Sequence, residues 1–156
     1  MITFQVEPWE QYFQDPRRES LWQEHYDEFL PAHERKLEMA PDVSFYQAGA
    51  AAGSLDVVVA RSAGEMIGYC LMFTRPHIHY CHDLCTFEDS YYLTRNLRRN
   101  LAGTGLKLVQ TSIQVARRRG SRRLYFMTKE FISIARLLEH LGFAKMDSVY
   151  CLWLET

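Results

Sequence analysis

Gly103-Thr104-Gly105 stands between an aromatic stretch, Phe87–Leu93, and a run whose apolar residues recur at helical spacing. That run is Leu106–Arg118, with Leu106, Leu108, Val109, Ile113 and Ala116 on one face. Small residues at such a junction let the backbone come close to a bound group. The first N–H groups of a helix have no partner inside it, so the junction suits a phosphate or pyrophosphate. Arg98 and Arg99, just upstream in a basic loop spanning Arg95 to Asn100, add charge-assisted donors. Two glycines also make an ordinary tight turn, and taken alone they leave both readings open.

Glu88 and Asp89 are the second candidate group, set beside Phe87, Tyr91 and Tyr92. A carboxylate partly desolvated among rings has a raised pKa and serves as a general base; it equally serves to cap or hydrate a strand edge. Strict alternation puts Asp89 on the face of Tyr91 and Leu93, and Glu88 on the other. His77, His79, Cys81, His82, Asp83 and Cys85 invite a metal, but they fit no zinc spacing, and no metal is expected. His79 is retained as a residue that titrates near neutrality and binds or deprotonates an acceptor. Lys129 follows the stretch RRLYFMT and either orients a ligand or starts a helix in solvent. The arginines at 117–119, 122 and 123 read as a nucleic-acid patch or as a solvated helix end, and the second is the commoner case.

These groups need elements to hold them. Ile2–Val6 alternates like a first strand and Pro8 ends it. Gln14–Leu30 is helical in composition, its aromatics expected in the core, and Pro31 stops it. Ala32–Pro41 connects to a second helix that opens at Asp42 and runs through SFYQAGAAAG. Leu55–Arg61 and Met66–Thr74 form a β-hairpin across Ser62–Glu65. Phe87–Leu93 is a strand that must cross over, through the long helix closing at Gly120, to a parallel strand Arg122–Thr128. Phe131–Leu141 is a helix stopping at Gly142, and Phe143–Glu155 a last strand. The fold class is therefore an α/β (α+β) sandwich, a central mixed and mostly antiparallel sheet flanked by helices. The junction lies at the carboxyl end of a strand, where open sheets bind ligands.

The length fits one domain, 1–156, with no repeat or low-complexity linker. A formal net charge of −1 implies no bulk attraction to nucleic acid, which is an unlikely partner on this count, or to membrane. The start MITFQVEPWE lacks the regions of a signal peptide, and no apolar run approaches the ~20 residues of a membrane span. Four irregularly spaced cysteines give no disulfide framework. The expectation is a cytoplasmic protein with reduced thiols.

From Leu55 onward the chain resembles the GNAT superfamily of N-acetyltransferases. The residues that carry the resemblance are the hairpin, Gly103-x-Gly105, Gly120 and Leu141-Gly142-Phe143. DSYYLTRNLRRNLAGTGLKLV, and MTK followed by ARLLEHLGF, look like the subgroup found in phages and prophages. The resemblance implies an acetyl-CoA-dependent transfer to a primary amine of a small molecule or protein, in the host cytoplasm for a phage-encoded member. It leaves room for a homodimer. It implies coenzyme contacts from Tyr92 and Leu93, through Arg98, Arg99, Asn100, Leu101, Ala102, Gly103, Thr104 and Gly105, with Lys129 beside them. A backbone N–H near Tyr92 or Leu93 would meet the developing oxyanion. Asp89 is favoured as base by its spacing to Tyr91-Tyr92-Leu93, with Glu88 and His79 as the other catalytic candidates. Two positions depart from the family pattern. Asn100 stands where Arg or Gln is usual, and Leu138 where many members carry a Tyr that protonates the leaving thiolate. They motivate an alternative, a catalytically degenerate fold that binds or inhibits a host factor.

Overall fold

The computed structural model describes residues 1–29, 38–100, 103–129, 133–152 and 154, without the side chains of Phe29, Arg99 and Asn100. In chain order the elements are β1 (Ile2–Glu7), α1 (Trp9–Phe13), α2 (Arg18–Phe29), α3 (Val43–Ala51), β2 (Leu55–Ser62) and β3 (Glu65–His77). They continue with β4 (Tyr80–Leu93), α4 (Arg95–Asn100), α5 (Thr104–Arg118), β5 (Arg123–Tyr125) and α6 (Ala135–His140). The sheet runs β1-β2-β3-β4-β5; every pair is antiparallel except β4–β5. The mixed sheet, its hairpin and the crossover through α5 are as the sequence leads one to expect.

Both faces of the sheet are covered, which is why β2 reads as an unbroken apolar run. On one face Trp9, Tyr12, Leu21 and Trp22 of the first two helices pack on Val57, Val59, Tyr69, Leu71 and Tyr92. On the other, Leu108 and Val115 of α5 pack on Val58, Ala60, Cys70, Met72 and Leu93. Full burial of a side chain such as Leu71 contributes about 1.5–3 kcal/mol, so each face anchors its helices independently.

Several boundaries differ from the sequence reading. The helix expected from Gln14 starts later: Asp15 accepts the Arg17 N–H at 2.8 Å beside Pro16, and the helix begins only at Arg18. Ahead of it, Trp9–Phe13 is a short helix of its own. The basic loop at 95–100 is helical, as α4. β4 begins at Tyr80, not Phe87, because the polar-aromatic stretch His77–Leu84 forms the tip and one arm of a long β3–β4 hairpin. β5 is three residues long rather than seven. Its successor Met127 gives its N–H to the Glu88 side chain at 3.0 Å and not to a strand. The described part of the expected last strand, 143–152, carries no strand, and β5 offers it only a three-residue edge. Parts of the expected segments at 30–37 and 130–132 lie outside the described residues. No helix among the described residues is long and apolar enough to cross a membrane.

Candidate active site

The site is built around an irregularity in β4. Leu71 of β3 faces Ser90, but Met72 faces Glu88, so Asp89 is an extra residue without an opposite number. A β-bulge of this kind breaks alternation and turns two consecutive side chains toward one side. Asp89 and Ser90 both meet Tyr46 of α3; the Tyr46 hydroxyl donates to Asp89 Oδ2 at 2.7 Å. Tyr91 and Leu93 return to the α5 face. The expectation that Asp89 shares a face with them is therefore reversed, and the bulge is the reason.

Glu88 takes the other fate. It is 5 % exposed, on the α5 side near Cys70 and Tyr91, and accepts the Met127 N–H. Burial pushes its pKa up to about 8; the Met127 bond opposes this and the charge of Asp89 adds to it. Near neutrality Glu88 is mostly a protonated acid that pins the chain leaving β5.

Beside the bulge opens a cleft of about 240 Å³. Its walls include Trp22, His25 and Tyr26 of α2, Tyr46 of α3, Tyr69 and Leu71 of β3, Ser90, and Lys129. Asp89 stands at its side through Tyr46. Burial and the neighbouring Asp89 push the Tyr46 phenol up, so it stays a donor. His25 Nδ1 is hydrogen-bonded to Tyr69 Oη at 2.8 Å, and its ring stacks on Tyr92 at 4.9 Å. Burial, and then the positive Arg98, lower its pKa to about 4, so it is a neutral wall and not a cation.

The second half of the site is the start of α5. Gly103 has φ 92 and is the N-cap; it has no side chain with which to cap the helix. At Gly105 a Cβ would lie 2.8 Å from Tyr91 Oη, and Tyr91 donates to the Gly105 carbonyl at 3.3 Å. Gly105 is thus demanded by the close approach of Tyr91 and Gly103 by its positive φ, with buried Thr104 between them. The parallel pairing of β4 with β5 ends at Phe87, so Asp89–Leu93 has strand pairing on its β3 edge alone among the described residues.

The structure brings Ser90 and Lys129 to one cleft, with Asp89 bonded to Tyr46 of its wall, and Tyr92 and Leu93 lie in β4 ahead of the α5 junction at Gly103, Thr104 and Gly105. It engages Arg98 elsewhere: Nε donates to the Leu93 carbonyl at 2.6 Å, both Nη atoms bind Glu28, and the guanidinium lies 5.0 Å from the Tyr92 ring centre. His79 is not brought in. It sits in the hairpin turn, and nine residues of strand at ~3.3 Å each separate Tyr80 from Asp89 by roughly 30 Å. The side chains of Arg99 and Asn100, and Leu101 and Ala102 entirely, lie outside the described residues. No cluster of metal-ligating side chains occurs among the described residues.

Sequence reasoning missed Tyr46, and it assigned Trp22, His25 and Tyr26 to the core when they also wall the cleft. It also passed over Glu24 and Glu28. Like charges four residues apart on one helix repel unless something stands between them. Here Thr94 and Tyr92 hydroxyls donate to Glu24, and Arg98 pairs with Glu28.

A family model described as the acetyltransferase (GNAT) family matches residues 9–143. Among solved structures, an aminoglycoside acetyltransferase from an uncultured soil metagenomic sample, in complex with sisomicin, superposes with a TM-score of 0.71. It is 15 % identical, over 99 % of this chain and 97 % of the other. A predicted acetyltransferase with acetyl-CoA from Clostridium acetobutylicum gives a TM-score of 0.66 at 12 % identity, over 100 % and 96 %. A ribosomal-protein-alanine N-acetyltransferase from Brucella melitensis gives 0.65 at 14 % identity, over 99 % and 100 %. At such identities these likenesses show the fold. No curated protein sequence matches significantly.

Proposed function

We infer, from the premise that the chain belongs to the acetyltransferase (GNAT) family, that it is an acetyl-CoA-dependent N-acetyltransferase whose acceptor amine enters the aromatic cleft beside Asp89. The bulge carries this reading. It supports the reading because Asp89, bonded to Tyr46 of the cleft wall, lies beside the stretch of β4 that has no β5 partner among the described residues. The residues at the α5 junction fit the coenzyme. Gly103 and Gly105 put no side chain at two positions of the helix start, and its outward N–H groups and dipole favour a pyrophosphate. Thr104 begins the helix between the two glycines, and Tyr92 and Leu93 border the acyl end. Once bound, acetyl-CoA supplies an acetyl group activated as a thioester.

The rest is the work of this chain. An ammonium is no nucleophile, so its proton must leave. The Asp89 carboxylate attracts the ammonium and takes that proton directly or through water, while Tyr46 holds the acceptor oxygen in place. The rings of Trp22, Tyr26 and Tyr69 exclude water and orient the amine. Leu138 is 6 % exposed in α6 and offers no proton to a departing thiolate, so water does. The rate should therefore rise with pH along one limb and show no second, falling limb. The acceptor is a small molecule or a protein amine, met in a cytoplasm by one domain formed from the whole chain.

Leu138 also motivates the second reading, a fold retained for binding a host factor. Thermal unfolding with acetyl-CoA separates the two. At 100 times its dissociation constant the coenzyme stabilises by ~2.7 kcal/mol. Gly103→Asp, which adds bulk and negative charge where a Cβ meets nothing within 4 Å, should remove that gain at a backbone strain of about 1–2 kcal/mol. Absence of any stabilisation in the parent chain would leave the binding module as the better account. A mass-spectrometric screen of amines and proteins for added acetyl then identifies the acceptor.

A further inference from the structure

The β3–β4 hairpin overhangs the rest of the sheet. β2 ends its pairing with β3 at Phe73, yet β3 runs on to His77 and β4 starts at Tyr80. On this overhang six side chains form one row. The Arg75 guanidinium lies 4.5 Å from the Phe87 ring centre, and Phe87 stacks on Tyr125 at 4.8 Å and 7°. Tyr125 is followed by His77 at 6.3 Å, His77 by Tyr80 at 5.0 Å, and Arg123 lies 5.1 Å from the Tyr80 ring centre. Tyr80 is 55 % exposed and Ile78, in the turn, 78 %. Arg75 and Arg123 are exposed as well, while His77, Phe87 and Tyr125 are half-buried between them, so Tyr80 is the ring that the row presents to solvent.

Charge says what kind of contact. The end of α5 is fastened to the hairpin: the Arg122 N–H reaches the Leu84 carbonyl at 2.9 Å, and Ser121 is hydrogen-bonded to Thr86 at 2.7 Å. Arg122 and Arg123 both bind Asp83, and Arg123 of β5 lies across Cys85 from Arg75 of β3. The cleft end carries Glu24, Glu28 and Asp89 instead. Arg98, paired with Glu28, and Lys129 in the cleft wall offset these acids, whereas at the hairpin Arg75, Arg122 and Arg123 outnumber Asp83, so that end attracts anions. The basic end is not the coenzyme's anchor, since α5, with 15 residues at ~1.5 Å each, sets it some ~22 Å from Gly103.

We propose that the overhanging β3–β4 hairpin, through Arg75, His77, Tyr80, Phe87, Arg123 and Tyr125, is a stacking platform for a single strand of nucleic acid. Unpaired bases extend the row of rings, and phosphates lie along the arginines. A duplex keeps its bases stacked inside and cannot use the rings. Strand addition by a second copy of the chain is opposed by Pro76, which lacks an N–H on the overhanging part of β3.

The test is fluorescence anisotropy of a labelled oligouridylate of about 12 nucleotides with the full chain. The parent should bind at low salt and weaken as salt rises. Tyr80→Ala should bind about tenfold less tightly or worse. Arg123→Gln should lower the log–log salt slope by about 0.7. Gly103→Asp should bind the oligonucleotide as the parent does, which separates this surface from the coenzyme loop. Failure of the parent to bind at low salt would overturn the proposal, as would parental affinity in Tyr80→Ala. So would sedimentation showing a parent dimer that Tyr80→Ala disperses and the oligonucleotide leaves intact, since the row would then be a subunit interface.

Discussion

Glu88 and Asp89 are neighbours in sequence with the same functional group, and the fold gives them opposite lives. Glu88 is sealed under α5, satisfied by one backbone N–H and largely protonated near neutrality. Asp89 stands in water beside an aromatic cleft, its oxygen held by a phenol. The difference comes from one extra residue in β4, not from either side chain. Register, and not residue type alone, decides which carboxylate meets a substrate.

That contrast can be broken at four places. Asp89→Asn should lower turnover by about 10²-fold or more, the usual scale for loss of a general base, in single-turnover measurements with saturating acetyl-CoA. Full activity in that variant would end the base role of Asp89. Tyr46→Phe removes the hydroxyl, and with it the bonds to Asp89 and Ser90. Hydrogen bonds to charged groups contribute roughly 1.5–3 kcal/mol, so a loss of around tenfold in turnover is expected, with little change in coenzyme affinity.

Glu88→Gln should leave turnover within about threefold and change stability instead. The folded carboxyl has its pKa raised from 4.5 to about 8, so the native state holds a proton that the unfolded chain has released. Stability must then fall as pH rises between those values, by at most about 1.4 kcal/mol per unit. Urea unfolding at pH 5 to 8 should show that slope in the parent and a flatter one in the variant. The smallest effect belongs to His25. Its pKa is lowered from 6.5 to about 4, so the unfolded chain takes up the proton first and stability is lost as pH falls through that window. His25→Asn keeps an acceptor for Tyr69 and should flatten this acid limb; an unchanged limb would mean the imidazole is not buried neutral.

The hairpin and the crossover were legible because β2, β3 and the α5 face announce themselves in local pattern: β-branched runs, a two-residue turn, an apolar stripe. The α5 junction was legible for the same reason, since its glycines and the helix after them are adjacent in sequence. Asp89 was named, but its face was read wrongly, because a bulge is a property of the pairing with β3 and leaves no mark in the residues of β4 itself. Tyr46 lies 43 positions from Asp89, and nothing local links them. His79 failed for the converse reason: a residue type suited to catalysis was credited to a cleft, while the strands on either side of it simply ran on. The row from Arg75 to Arg123 draws on three strands, so its members look like scattered surface residues until the sheet is assembled.

Trp22 combines two roles that make the cleft self-reporting. Its indole N–H donates to Tyr12 deep in the core, which holds the ring still, and its other side forms the wall of the cleft. A ligand that displaces water from that wall changes the polarity around a fixed indole, and hence its emission. Candidate acceptors can therefore be titrated by intrinsic fluorescence, with no label, no coenzyme and no turnover, and Trp22→Phe supplies the blank.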